Sequence, residues 1–125
     1  MNDPNERVAE SVARLRQRWG RGLPETAVLL GSGWGGLAAR VEGATELSYE
    51  ELPAFPRLGV GGHAGRLFIG RIGSLPVMVL GGRKHAYETG DATVMKGAIR
   101  TLAAAGVRTL VQTNAAGSLN PAIAP

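Results

Sequence analysis

Apolar residues recur with a helical period near the start of the chain. Val8, Val12, Leu15 and Trp19 are spaced three or four residues apart, so they line one face of a helix. This spacing predicts an amphipathic helix over residues 6–19, which ends where glycines and a proline follow.

Short apolar runs between turn-forming residues predict strands. They span residues 26–30, 45–49, 65–72, 75–80 and 108–113. Only Gly73 and Ser74 separate the third run from the fourth, which is the length and composition of a β-hairpin turn. Residues 37–41 predict a helical turn. Residues 92–105 are rich in alanine and predict a second helix that ends at Gly106.

The alternation of strands and helices predicts an α/β fold with a mixed, mostly parallel central sheet flanked by helices. We expect residues 1–125 to form a single domain, because no linker or break in composition divides them. The last predicted strand is followed by a small-residue loop, residues 114–125, and not by a helix that could cover it. Because a parallel sheet needs cover on both faces, we expect the chain to be truncated after about half of a larger fold.

Composition restricts the classes of function. Hydrophobic residues make up 44% of the 125 residues and charged residues 19%, which is typical of a globular protein. The chain contains no cysteine, which agrees with a reducing cytoplasm. No apolar run approaches the length of a membrane span, about 20 residues, and the first residues lack the apolar segment of a signal peptide. We therefore expect a soluble, cytoplasmic protein with no membrane partner.

The net charge of +4 does not by itself indicate a nucleic-acid partner. Basic residues are scattered, apart from one cluster formed by Arg14, Arg16, Arg18 and Arg21. This cluster offers no aromatic platform on which bases could stack, and it is typical of a solvated helix face. Nucleic acid is therefore not a predicted partner.

Three loops follow three of the predicted strands. They comprise residues 31–36, 81–88 and 114–117. In an open α/β sheet, ligands bind outside the carboxyl ends of the strands. We therefore expect these three loops to converge on one crevice.

The second loop contains the strongest chemical signal. Arg83 and His85 are two residues apart, so in an extended chain their side chains point to the same side. The arginine fork suits phosphate or carboxylate, and the imidazole beside it adds a donor, which together predict an anion site. The alternative is a surface salt bridge to Glu88 or Asp91 together with a structural histidine.

The first loop, rich in glycine, offers backbone N–H groups and the Ser32 hydroxyl to an anion. The alternative is a plain strand-to-helix turn. The pattern is neither a P-loop nor a dinucleotide-binding fingerprint, because the lysine of the former and the acidic residue of the latter are missing. Trp34 in this loop is a candidate lid, subunit contact or core residue.

Further polar residues extend this hypothesis. His63 lies among small residues, where it is either a donor to an anion from a mobile loop or simply an exposed histidine. Tyr87 is a candidate for stacking on a polar ring, or else a core tyrosine. Residues 114–117 form a floor of small side chains for a flat ligand, or else a packed turn.

Four segments taken together resemble one family of enzymes. They are Gly31-Ser32-Gly33-x-Gly35; Phe55-Pro56 with Gly62-His63-Ala64-Gly65-Arg66-Leu67; Gly82-Arg83-x-His85-x-Tyr87-Glu88; and Thr113-Asn114-Ala115-Ala116-Gly117-x-Leu119-Asn120-Pro121. Their order and spacing are similar to those of the trimeric purine nucleoside phosphorylases, the family that also includes methylthioadenosine phosphorylase. The resemblance covers nearly the whole chain from residue 29 onward and corresponds to the N-terminal half of that fold.

The resemblance implies a role for each loop. Phosphate would be bound by Ser32, Arg83, His85 and the backbone of Ala115, with His63 closing over it. Tyr87 would contact the ribose. Asn114, Ala115, Ala116 and Gly117 would lie beside the phosphate and the base.

The implied reaction is that of a pentosyltransferase in purine salvage, in which a purine nucleoside and inorganic phosphate give the free purine and ribose 1-phosphate. Inorganic phosphate would be a co-substrate, and no cofactor or metal is expected. The complete protein would be a homotrimer. Two modest departures are Thr89 and Ser118, which stand where the family commonly has glycine. The larger departure is length, since the base-recognising residues of the family lie in its second half. The resemblance therefore implies that this chain alone holds most of a phosphate site but not a complete active site, and we expect it to be inactive alone. The alternatives are methylthioadenosine phosphorylase and a non-catalytic fragment that binds phosphate or a nucleotide.

Overall fold

The structure, a computed structural model, describes residues 3–31, 33–58, 65–82 and 90–123. In chain order the described elements are α1 (Pro4–Trp19), β1 (Thr26–Leu29), a 3₁₀ helix (Gly35–Arg40), β2 (Glu42–Ser48), a 3₁₀ turn (Tyr49–Glu51), β3 (Arg66–Ile72), β4 (Leu75–Leu80), α2 (Lys96–Ala104) and β5 (Thr109–Gln112).

The first helix confirms the prediction for residues 6–19, and it begins two residues earlier than predicted. Asp3 caps its N-terminus by accepting a hydrogen bond of 2.8 Å from the backbone N–H of Asn5, and Pro4 supplies a preset backbone angle in the first turn. Gly20 ends the helix with φ at 77°, a left-handed conformation that favours glycine.

The second helix is shorter than predicted. Residues 92–95 form turns instead of helix, and α2 begins only at Lys96. The Asp91 carboxylate accepts hydrogen bonds from the backbone N–H and the hydroxyl of Thr93, at 2.8 and 2.6 Å, which stabilises a local turn in competition with the helix. At the other end, Gly106 follows the helix with φ at 99°.

The five strands form one sheet in the order β2-β3-β4-β1-β5. Neighbours β4 and β1, and β1 and β5, run parallel, whereas β2 with β3 and β3 with β4 run antiparallel. The predicted hairpin is confirmed, with Ile72 opposite Leu75 across a turn that contains Gly73 at φ 62°. The prediction of a mixed α/β fold is likewise confirmed.

One predicted strand is confirmed with different bounds. The strand expected at residues 45–49 runs from Glu42 to Ser48, and Tyr49 instead begins a 3₁₀ turn. The reason is a capping box, in which the Ser48 hydroxyl caps the turn and the Glu51 carboxylate accepts a 2.8 Å hydrogen bond from the Ser48 N–H.

Both faces of the sheet are buried along its central strands. On one face, α1 and α2 place Leu15 and Leu102 against strand residues such as Leu29 and Leu80. On the other face, a smaller cluster of Leu30, Val41, Val77 and Val79 packs against Leu37 and Ala38 of the 3₁₀ helix. Alternate residues of β1 and β4 thus belong to different cores, as strand geometry requires.

The arginine cluster is largely exposed, as predicted, but two of its members also bond to the rest of the fold. Arg14 donates a 2.7 Å hydrogen bond to the backbone carbonyl of Glu51. Arg18 donates to the carbonyl of Glu46 at 2.8 Å and forms an ion pair with the Glu51 carboxylate. These bonds form because α1 lies within side-chain reach of the end of β2 and the turn that follows, so two of the arginines fasten the helix to the sheet.

The last strand lies at an edge of the sheet and is poorly covered. Three of its four residues are exposed, and Val111 keeps 46% of its surface accessible. The expectation that this strand lacks a covering helix is confirmed for the described residues. Among those same residues, no helix is both long and apolar enough to cross a membrane.

Candidate functional site

The carboxyl ends of three neighbouring strands meet at one edge of the sheet. Strands β4, β1 and β5 are adjacent and parallel, and Leu29 lies opposite both Leu80 and Gln112. The loops that follow these strands therefore begin side by side. That the three loops go on to converge on one crevice stays a prediction, since residues 32 and 83–89 lie outside the described parts of the chain, and this shared edge is the candidate site.

The first and third loops are in direct contact at this edge. The backbone N–H of Gly31 donates a 2.8 Å hydrogen bond to the hydroxyl of Thr113. A Cβ atom on Gly31 would lie 2.3 Å from the carbonyl oxygen of Thr113 and 2.9 Å from the Cα of Asn114. Only glycine therefore permits this approach of the two backbones.

The third loop is the part of the predicted site that the structure describes most fully. Asn114, Ala115, Ala116 and Gly117 have no regular secondary structure and are all exposed. They follow β5 directly, and Asn114 lies against Gly31. Residues 114–117 are therefore open to a ligand at this edge, whereas their binding roles stay predictions.

The other predicted site residues lie outside the described parts of the chain. They are Ser32, His63, Arg83, His85 and Tyr87. What the structure does give is the position of the described residues that flank these segments, Gly31 and Gly33, Gly65 and Gly82.

The flanks of two of these undescribed segments lie next to each other. Gly81, which follows β4, donates a 2.7 Å hydrogen bond from its N–H to the carbonyl of Arg66 at the start of β3. The β3–β4 hairpin thus has its two open ends side by side. The segment that contains His63 precedes one of these ends, and the segment that contains Arg83 follows the other.

Tyr49 links these flanks, and it was not among the predicted site residues. Its hydroxyl donates a 2.5 Å hydrogen bond to the carbonyl of Gly82, and its N–H donates a 2.7 Å bond to the carbonyl of Gly65. The side chain is 2% exposed, and this burial raises the pKa of the Tyr49 hydroxyl above its ordinary value. The pattern Ser48-x-x-Glu51 could have indicated the turn on which Tyr49 stands, since it is a capping-box signature.

Trp34 is not a core residue, because half of its surface is exposed. Its backbone carbonyl accepts a 3.0 Å hydrogen bond from the N–H of Leu37 and so begins the 3₁₀ helix. Of the three roles considered from the sequence, lid and subunit contact remain.

A separate groove of about 440 Å³ lies between the beginnings of α1 and α2 and residues 53–56. Three cationic side chains line it, Arg7, Lys96 and Arg100. No residue of the strand-end edge lines this groove, so it is distinct from the candidate site. Within the described ranges, no three side chains of the acidic or histidine type gather so that they could hold a metal ion.

Comparison with known proteins gives consistent matches. The family model described as the phosphorylase superfamily matches residues 25–125. The purine nucleoside phosphorylase of Mus musculus is 44% identical over 98 residues.

Two solved structures from Schistosoma mansoni share the fold. The purine nucleoside phosphorylase in complex with acetate superposes with a TM-score of 0.83 at 33% identity and covers 95% of this chain. Isoform 2, in complex with cytosine and ribose-1-phosphate, gives a TM-score of 0.82 at 30% identity and covers 94% of this chain.

The chain spans well under half of the length of these relatives. The match to the mouse protein covers 78% of this chain but 34% of the relative. The two structural matches cover 43% and 41% of the solved chains.

Proposed function

The chain belongs to the phosphorylase superfamily, and we propose that it forms the phosphate-binding part of a purine nucleoside phosphorylase. The reaction is phosphorolysis of a purine ribonucleoside or deoxyribonucleoside, with inorganic phosphate as co-substrate and the pentose 1-phosphate as product. The mouse relative is named for this activity, and one of the structural relatives was solved with ribose-1-phosphate.

The observation that carries the proposal is the meeting of three strand ends at one sheet edge. The carboxyl ends of the parallel strands β4, β1 and β5 lie side by side, so the loops that follow them begin at the same edge. These loops hold the serine, the arginine–histidine pair and the small-residue segment that the sequence singles out. An open edge of this kind is where α/β proteins bind their ligands.

The proposed phosphate ligands are Ser32, His63, Arg83, His85 and the backbone of Ala115. Their chemistry suits an oxyanion, because a guanidinium, imidazoles, a hydroxyl and backbone N–H groups are all donors. The contact between Gly31 and Thr113 supports this grouping, since it joins the loop of Ser32 to the loop of Ala115.

The proposed nucleoside contacts are Tyr87 at the ribose and residues 114–117 beside the phosphate and base. The exposure of residues 114–117 supports this role, because a bound ligand can reach them. Small side chains leave room for a flat purine.

In the proposed chemical step, a phosphate oxygen bonds to the anomeric carbon as the glycosidic C–N bond breaks. The purine leaves with the electron pair of that bond and takes up one proton, which hydrogen phosphate gives up as it becomes the phosphate ester. Positive charge develops on the sugar in the transition state, as in glycoside hydrolysis, and the adjacent phosphate stabilises it. The task of Arg83 and His85, the proposed catalytic residues, is to hold and aim the phosphate at that carbon.

This chemistry calls for no metal or organic cofactor, because phosphate is itself the nucleophile. A homotrimer and a cytoplasmic location complete the proposal. Both derive from the sequence, the first from the family resemblance and the second from the composition.

The proposal is tested by titrating the chain with inorganic phosphate in a calorimeter. We expect Arg83→Ala to weaken phosphate binding by a factor of ten or more, because hydrogen bonds to a charged group contribute about 1.5–3 kcal/mol. The matched control is Arg71→Ala. Arg71 is exposed and lies near the hairpin turn, at the opposite end of β3 from the candidate site. This control should bind phosphate like the parent chain.

The catalytic part of the proposal is tested on a full-length protein that contains this chain, with inosine, guanosine and methylthioadenosine in the presence of phosphate, by following release of the free base. Release from methylthioadenosine alone would favour the alternative activity. Phosphate binding that is the same in the parent chain and in Arg83→Ala would contradict the proposed site.

A further inference from the structure

Tyr49 stands at the junction of the two segments that carry most of the proposed phosphate ligands. It is the first residue of the 3₁₀ turn after β2 and belongs to the main hydrophobic core. Its ring packs edge-on against Phe55, with the ring centroids 5.0 Å apart and the planes at 66°. Packing therefore restrains the ring independently of the hydrogen bond that its hydroxyl makes.

Two hydrogen bonds connect this fixed ring to the flanks of the site. Its N–H bonds to the carbonyl of Gly65, two residues after His63. Its hydroxyl bonds to the carbonyl of Gly82, the residue before Arg83. One buried residue thus holds one end of each segment.

The bond to Gly82 lies beyond the regular sheet. Strand β4 ends at Leu80, and the Gly81 N–H bonds back to β3. The Gly82 carbonyl instead accepts a bond from a side chain. Because the peptide unit is planar, this bond restricts the orientation of the whole peptide group that begins at the Gly82 carbonyl.

We infer that Tyr49 is a positioning residue for the phosphate site, and that its hydroxyl sets the direction in which the arginine–histidine loop leaves the sheet. This inference rests on the proposed function, since it presumes that the loop binds phosphate. Tyr49 itself touches no substrate in this role. It acts through the Gly82 carbonyl, and binding depends on it because small displacements of a donor weaken its bond to an anion.

Burial suits the hydroxyl to this task. The phenol can donate its hydrogen bond only while it is protonated, and burial favours the protonated form. The bond to Gly82 therefore persists through the neutral pH range in which phosphate changes its own charge. The positioning is expected to be independent of pH there.

The test compares Tyr49→Phe with Phe55→Leu. Tyr49→Phe removes the hydroxyl and keeps the ring, so the packing against Phe55 is retained. Phe55→Leu removes the aromatic partner and keeps the Tyr49 hydroxyl. Both variants are titrated with inorganic phosphate by calorimetry, and urea unfolding gives the folded fraction by which each dissociation constant is corrected.

We expect Tyr49→Phe to raise the dissociation constant for phosphate about fivefold or more, the factor expected when one displaced donor of the loop loses its hydrogen bond to the anion. Phe55→Leu should lose stability and yet bind phosphate within about twofold of the parent chain, because the bond to Gly82 is intact. The parent chain in enough urea to match the stability of Tyr49→Phe should also retain its affinity.

The outcomes separate this inference from the proposed function. If the parent chain binds no phosphate, the proposed function itself fails. If Arg83→Ala weakens binding but Tyr49→Phe does not, the site stands and the positioning role is wrong. If Phe55→Leu weakens binding as much as Tyr49→Phe does, the effect is one of general packing and the inference is again overturned.

Discussion

A single methyl group at position 31 would collide with the chain that leads into Asn114. The added Cβ would lie 2.3 Å from the Thr113 carbonyl oxygen, and neither that oxygen nor the nearby Asn114 Cα can move like the end of a flexible side chain. We therefore expect Gly31→Ala to lower the free energy of unfolding by about 1–3 kcal/mol, the usual range for overpacking. Urea unfolding followed by circular dichroism measures this.

The matched control for that change is Gly36→Ala in the same loop region. An added Cβ at Gly36 meets nothing within 4 Å, and this glycine does not have a positive φ. It should unfold within about 0.5 kcal/mol of the parent chain. Equal losses in both variants would show that loop flexibility, and not the contact with Thr113, sets the requirement for glycine.

The sequence indicated part of this residue-scale picture. A run of glycines after a strand predicts that the backbone there comes close to a ligand or to another segment of the chain. The sequence does not say that the partner of Gly31 is Thr113, 82 residues further along, because that contact depends on β5 lying beside β1. Tyr49 escaped prediction for the same reason, since its hydroxyl bonds to Gly82, 33 residues away.

At the scale of elements, local side-chain hydrogen bonds explain why two predicted boundaries differ from those in the structure. Alanine-rich composition predicted a helix from residue 92, but the Asp91 carboxylate holds Thr93 in a turn and α2 begins at Lys96. The capping box at Ser48 ended β2 in the same way. In contrast, the hairpin and α1 were predictable, because their turn residues and periodicity agree with the tertiary fold.

The turn before α2 gives a pH dependence with a definite sign. The Thr93 hydroxyl and then its backbone N–H lower the pKa of Asp91 below its ordinary value of 3.8. Because the folded-state pKa is lowered, this stabilisation is fully present above the unfolded pKa and is lost as the pH falls through the folded value. We expect Thr93→Val to raise the pKa of Asp91 towards 3.8, as measured by carboxyl ¹³C NMR titration.

Thr93→Ser serves as the control, since it keeps a hydroxyl beside the carboxylate. Its Asp91 pKa should remain lowered. An unchanged titration of Asp91 in Thr93→Val would mean that the hydroxyl is not the main cause of the shift.

At the scale of the whole molecule, the sheet is asymmetric. Its central strands are covered on both faces by the two clusters of apolar residues, whereas β5 forms an edge with Val111 46% exposed. The sequence predicted this uncovered strand from the absence of a following helix. It did not predict which strand β5 pairs with, since strand order follows from long-range packing.

An exposed edge strand with an apolar side chain favours pairing between copies of the chain. We expect the 125-residue chain to associate as its concentration rises, and Val111→Lys to reduce that association, because a charge on an edge strand opposes strand pairing. Sedimentation velocity over a range of concentrations measures the effect. The control is Leu75→Lys, since Leu75 is similarly exposed, at 50%, but lies at the hairpin end of β4, which is an interior strand of the sheet. If both lysine variants reduce association equally, general surface hydrophobicity and not the edge of β5 drives it.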